Sequence, residues 1–217
     1  QNKGILVDNE LKKILKEQKS QIDQQITAAS DFYKSKLQDD SGLTYLPTID
    51  PYYWLRFSEN IIKNSHPGDE IKNGQSWDNH MFAPEGRDMP SDMFHAYFQA
   101  YMFKFLSFFN RDIGLAKVAF YMPVLISALS VIPAFFITRK IAGNFGGFVA
   151  AIVVAIHPSF LIRTMGGISD TDGYNILFPL LIAWIFLEAL DAKSAKRGIA
   201  LSVVSGLLIG LFSFAWI

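Results

Sequence analysis

The sequence predicts an all-α, polytopic membrane protein: about four transmembrane helices, preceded by a long outer-face loop region that contains an amphipathic helix. Three observations predict it. Residues 118–138, 141–162, 173–187 and 198–217 contain no Asp, Glu, Lys or Arg, and each run is close to the roughly 20 residues that span a hydrocarbon core as a helix. Residues 1–116 are instead mostly polar and aromatic, so the grease of a chain that is 50% hydrophobic lies at one end. Finally, Asp170-Thr171-Asp172 sits between two of the apolar runs, where charge is expensive unless it has a partner or a task.

Composition sets outer limits. The 217 residues include 20 acidic and 20 basic side chains, so the field of the whole chain favours no nucleic acid or other polyanion, and no nucleic-acid partner is expected. Without cysteine there are no disulfides and no thiolate ligands. The chain opens on Gln1 and stops within the apolar run LFSFAWI. Both ends therefore read as cut from a longer membrane protein.

Residues 8–37 predict the amphipathic helix. Leu11, Ile14, Leu15, Ile22, Ile26, Ala29, Phe32, Tyr33 and Leu37 recur at helical spacing, opposite Lys, Gln, Glu and Asp. This reads as a solvated helix packed on its own domain rather than as a coiled-coil strand. Asp39, Asp40, Ser41 and Gly42 end it. Residues 43–95 read as irregular, with turn chemistry in SHPGDE and APEGRDMP. Asp50-Pro51 predicts an N-cap followed by proline at the first helical position. Residues 92–110 predict a helix capped by Asp92, with rings suited to the headgroup belt.

The short loops orient the spans. Arg139 and Lys140 follow the first run, and Lys193, Lys196 and Arg197 precede the last. Basic short loops stay in the cytoplasm, so the Asp170–Asp172 loop and everything before Lys117 face outward. The expected organisation is an external region, 1–116, and a membrane region, 117–217, with its acidic external loop at 163–173. A multi-pass protein of the cell (plasma) membrane follows, with a further span expected ahead of residue 1.

Asp170 and Asp172 repel each other, and a divalent cation, a hard ion that prefers oxygen ligands, relieves this. Gly166, Gly167 and Gly173 would let backbone approach a ligand closely. The plainer reading is a solvated loop with Asp172 as an N-cap. Arg163 either snorkels to phosphates or positions an acidic group beside the carboxylates. Of His66, His80, His95 and His157, the last reads as a satisfied polar residue within a span, whereas His80 and His95 are candidates to meet phosphate or metal near the loop. There is no GxSxG, P-loop or zinc pattern.

Two stretches carry a family resemblance. DPYYWLRF followed by WDNHMFAPEGR resembles the first external loop of oligosaccharyltransferase catalytic subunits, the archaeal ones especially; FAPEG stands where that family usually has Tyr-Pro-x-Gly. RTMGGISDTDGYNI resembles the family's second external loop, with Arg before an Asp-x-Asp/Glu motif. The resemblance covers about residues 45–217. It implies that Asp50, Asp170 and Asp172 are ligands of one catalytic Mn²⁺ or Mg²⁺. Asp50 would also contact the acceptor asparagine's amide, and Arg163 would support acceptor binding. His80 is assigned to substrate binding from the reading of the histidines, not from the resemblance. The implied reaction transfers a glycan from a polyprenyl (dolichyl) phosphate or diphosphate carrier to the Asn of an Asn-x-Ser/Thr sequon. Implied partners are the lipid-linked oligosaccharide, the acceptor polypeptide, membrane lipid and the remaining C-terminal part of the enzyme. The family's later spans, its metal-binding Glu and its Trp-Trp-Asp-Tyr-Gly domain are not in this sequence. Two other readings stand beside it: another lipid-linked-sugar glycosyltransferase of the membrane, or a non-catalytic subunit that binds divalent ions.

Overall fold

The structure, a computed structural model, describes residues 2–40 and 42–216. Its contacts divide the chain into two units, Gln1–Tyr45 and Leu46–Ile217. In the first, helix α1 runs Asn2–Leu37, starting earlier than its periodicity predicts. An isolated bridge pairs Gln38 with Thr44, and Gly42 takes φ +79° in the turn between them. Leu11, Ile14, Leu15, Ile22 and Ile26 are exposed; within this unit nothing among the described residues covers that face.

The second unit begins with α2, Asp50–Asn64. Asp50 is its first helical residue rather than its cap: Ile49 occupies the cap position without a side-chain bond, and Pro51 follows within the first turn, where a missing N–H removes nothing. Helix α3, Phe94–Phe109, likewise starts after Met93, not at Asp92. The two helices meet through Trp54, Phe57, Ile61, Met93, Ala96 and Ala100. Ala96 and Ala100 repeat at one-turn spacing and are fully buried, which lets the backbones close up. There the Ser58 hydroxyl lies 3.0 Å from the Ala96 carbonyl and 2.8 Å from Gln99 Oε1. The opposite face of α3 leaves Tyr101, Phe105, Phe108 and Phe109 exposed.

The fold is mostly helical but not all-α. Between α2 and α3, where the sequence reads as irregular, strands β1 (Glu70–Lys72), β2 (Gln75–Asp78) and β3 (Arg87–Asp88) form an antiparallel sheet. Lys72 pairs with Gln75 across Asn73-Gly74. Both turn residues have positive φ, +52° and +81°, the twist a two-residue hairpin requires and Asn-Gly supplies. That dipeptide was the legible signal for the sheet.

Among the described residues, three helices are long and apolar enough to cross a membrane: Leu115–Ile156, Thr171–Leu190 and Ala195–Ala215. The first, α4, breaks at Ala142 and Gly143, whose backbones are not helical; the break separates the apolar runs 118–138 and 141–162. His157 then ends it and precedes the short α5, Pro158–Thr164, so His157 is an exposed junction residue rather than a residue within a span. Helices α6 (Tyr174–Leu190) and α7 (Ala195–Ala215) pack beside α4 around Val118, Met122, Ile126, Tyr174, Leu177 and Phe178. At one end of α4, Gly167 N–H donates to the Phe120 carbonyl at 2.8 Å. Just before the α4 break at Ala142, Lys140 pairs with Glu188 and Asp191 near the far end of α6 at 3.0 and 2.7 Å, and Phe136 stacks on Trp184. The acidic loop and the basic turn therefore occupy opposite ends of the bundle.

Candidate active site

The chain leaves α5 at Thr164, crosses residues 165–170 without regular structure and re-enters helix through a 3₁₀ turn, Thr171–Gly173. Asp170, not Asp172, caps that turn, its Oδ1 accepting from Thr171 N–H at 2.7 Å. The same oxygen accepts from the Trp54 indole N–H at 3.0 Å. Asp172 Oδ2 pairs with Arg163 Nη1 at 3.1 Å, so the structure brings together two of the residues singled out from the sequence. Asp170 Oδ2, Asp172 Oδ1 and the exposed Asp50 carboxylate have no protein partner among the described residues.

The Trp54 bond links α2 to the acidic loop across 116 positions. Asp50 lies one turn before Trp54 on α2, and residues at that spacing share a face with Cβ atoms roughly 6 Å apart. Sequence reasoning missed Trp54, which reads as one more ring in an aromatic run. Its signal was the helical spacing from Asp50. Trp54→Phe keeps the apolar packing but removes the N–H. It is expected to destabilise the chain by about 2 kcal/mol, typical of a lost bond to a charged acceptor, which thermal unfolding checks.

The floor of the loop is His95. It is fully buried, with Nδ1 2.9 Å from Tyr174 Oη, Nε2 3.0 Å from Ser169 Oγ, and its ring edge-on to Trp54. Burial pushes its pKa down to about 4 against the upward pull of Asp170, so the imidazole is neutral at pH 7. Both nitrogens are used inside the protein. His95 thus supports the loop and does not face a ligand. The glycines also serve packing. A Cβ at Gly166 would come within 2.7 Å of the Phe120 ring, one at Gly167 (φ +90°) within 2.7 Å of Pro47, and one at Gly173 within 2.8 Å of Ile126. Close approach is to protein, not to ligand.

His80 lies in a second cluster. Asp69, Asp78 and His80 have ligand atoms within 4.8 Å of one another, but Arg56 is among them, paired with Asp69 and Asp78 at 2.9 Å each. None of Asp50, Asp170 or Asp172 is among His80's bonded partners.

The chain itself matches known proteins. A family model described as "Oligosaccharyl transferase STT3, N-terminal" covers residues 21–217, most of the chain. The chain belongs to the STT3 oligosaccharyltransferase family. Two curated relatives, both dolichyl-phosphooligosaccharide-protein glycotransferases, are 32% identical over 85% of the chain (Methanococcus voltae) and 31% identical over 90% (Methanocaldococcus jannaschii). The chain spans about a fifth of their length, 21% and 22%. Among solved structures it is similar to the Archaeoglobus fulgidus oligosaccharyltransferase in complex with Zn and sulfate, with TM-score 0.66 and 25% identity over 80% of this chain and 22% of that one. The STT3 match begins well before residue 45, where the motifs first become recognisable, and includes the end of α1.

Proposed function

We propose that this chain is the metal- and donor-binding part of a membrane oligosaccharyltransferase. The reaction moves a glycan from a polyprenyl (dolichyl) phosphate or diphosphate carrier to the asparagine of an Asn-x-Ser/Thr sequon. The observation that carries this reading is the Trp54–Asp170 bond, which ties the turn of α2 begun by Asp50 to the Asp170–Asp172 loop. Membership of STT3 and the names of the Methanococcus and Methanocaldococcus relatives supply the substrate class.

The donor set fits a hard divalent cation. Three carboxylates, Asp50, Asp170 and Asp172, retain oxygens that no protein group among the described residues uses, and Mn²⁺ or Mg²⁺ prefers such ligands. When bound, the cation supplies charge stabilisation for the leaving phosphate. The chain's own residues do the rest. Asp170 is oriented by Trp54 and Thr171 and leaves Oδ2 for the ion. Arg163 holds Asp172 by one oxygen and, being 69% exposed, keeps N–H donors for the acceptor segment. Asp50, the proposed catalytic residue, accepts a hydrogen bond from the acceptor amide. His80 offers an N–H to the donor phosphate. The remaining C-terminal part of the enzyme completes acceptor recognition, and the basic turn at Arg139 and Lys140 sets the acidic loop on the outer face of the cell membrane.

A binding measurement tests the site apart from turnover. Mn²⁺ titration followed by electron paramagnetic resonance, on the protein at the full length of its relatives, is expected to show one site. Asp50→Ala, Asp170→Ala and Asp172→Ala should each weaken it by at least about tenfold, one to two kcal/mol per lost ligand. Wild-type affinity in Asp50→Ala would remove Asp50 from the ligand set.

A further inference from the structure

The cluster around His80 has the ingredients of a cation site, and it already surrounds a cation. Arg56 Nη1 lies 3.0 and 2.9 Å from the two Asp69 oxygens and 3.0 Å from His80 Nδ1, while Nη2 donates to Asp78 Oδ1 at 2.9 Å. A guanidinium does not give up its proton. Its Cζ stands 4.3 Å over the Phe57 ring at the α2–α3 contact, so it is anchored in the fold. A metal would have to displace a group paired with both carboxylates. The cluster is better read as a bracket for what it leaves exposed, the His80 ring.

Each acid holds part of the turn that carries His80. Asp78 is fully buried, and its Oδ1 accepts from the backbone N–H groups of His80 at 2.9 Å and Met81 at 3.3 Å. Asp69 accepts from Asn79 N–H at 2.9 Å, from Asn60 Nδ2 at 3.0 Å, and lies 3.0 Å from His80 Nδ1. Burial raises the Asp69 carboxyl, but the bonds from Asn79, His80 and Asn60 and the charge of Arg56 outweigh it and hold it well below the usual carboxylate range. The His80 side chain itself is 70% exposed.

The chemistry at Nδ1 decides what the other ring nitrogen does. Nη1 of Arg56 has two hydrogens: one is shared by the Asp69 oxygens, and the other meets His80 Nδ1. When Nδ1 accepts from Arg56, the ring proton sits on Nε2. When Nδ1 instead carries a proton and donates to Asp69, Nε2 is an acceptor in the neutral ring and a donor only in the doubly protonated one. An anion at Nε2 selects the two forms in which Nε2 carries a proton. We infer that Asp69 and Arg56 are positioning residues that hold His80 by Nδ1 and present its Nε2–H to the phosphate of the lipid-linked donor. This rests on the reading of His80 as a donor-binding residue.

A double-mutant cycle on the protein at the full length of its relatives tests it, with the KM for a synthetic short-chain polyprenyl-linked donor as readout. His80→Ala should raise that KM by about tenfold, as expected when one charge-assisted bond is removed, with kcat and the KM for a sequon peptide little changed. Asp69→Asn should raise it by a similar factor. Combined with His80→Ala it should add nothing, because it acts only through His80. Factors that multiply in the double variant would overturn the positioning role while leaving His80 as a donor contact. A normal KM in His80→Ala would overturn the donor contact and the inference with it. Should Asp69→Asn fail to fold, Arg56→Lys, which keeps the charge but not the fork geometry, takes its place in the same cycle with the same two outcomes.

Discussion

Asp170→Ala is expected to lower glycan transfer to a sequon peptide by about a thousandfold, the several kcal/mol a catalytic cation supplies to a developing charge. The carboxylate has a structural role as well as the proposed ligand role. It accepts from Trp54 and caps the 3₁₀ turn through Thr171, so truncation also leaves a buried indole N–H without a partner. That adds about 2 kcal/mol of lost stability. Asp170→Asn separates the two effects. Its carbonyl still accepts from Trp54 and Thr171, but the charge that attracts the cation is gone. The expected result is a near-normal melting temperature, with Mn²⁺ affinity and transfer both lost. An Asp170→Asn protein that binds Mn²⁺ and transfers glycan at the normal rate would remove the ion from this loop.

The second large effect is acid sensitivity of the loop floor. His95 takes up its proton at about 4 when folded and near the ordinary histidine value of 6.5 when unfolded. The unfolded chain therefore binds the proton first as pH falls. Stability is fully present above pH 6.5, declines between 6.5 and 4, and levels off below 4. The gap corresponds to about 3 kcal/mol at the conversion of about 1.4 kcal/mol per pH step. His95→Phe should cost about 2–4 kcal/mol at pH 7, because Tyr174 Oη and Ser169 Oγ lose their partner. It should also flatten the difference between pH 7 and 4.5. Thermal unfolding of both proteins across that range measures this. A slope in His95→Phe as steep as in the unmutated chain would assign the acid response to other groups.

Much of the fold was legible in the sequence, because apolar runs and helical periodicity are local properties. The mostly helical character and the long apolar helices followed from these patterns, but the four expected spans are three membrane-length helices among the described residues, the first broken at Ala142 and Gly143, and α1 starts earlier than its spacing predicts. The sheet at Glu70–Asp88 was not read, although Asn73-Gly74 announced its first turn. Strands this short carry too little alternation to stand out among polar residues. The starts of α2 and α3 each moved by one residue, and neither has the side-chain cap bond that the Asp residues were expected to supply. Among the site candidates, Arg163 meets Asp172 as its neighbourhood in sequence allowed. His95 and His80 looked alike in the sequence, and burial separated them: one is enclosed by Tyr174, Ser169 and Trp54, the other stands exposed on the Arg56 bracket.

By itself the sequence determined that this is an apolar, multi-helix chain with two acidic motifs of the STT3 family, since hydropathy and motif spacing need no knowledge of which residues meet. Only the tertiary structure decided how those motifs are held. Trp54 reaches Asp170 across 116 positions, and Arg56 gathers Asp69, Asp78 and His80. A hydrogen bond depends on distance and angle between groups that the chain brings together by packing α2 against α3 and the acidic loop, and no local pattern encodes that meeting.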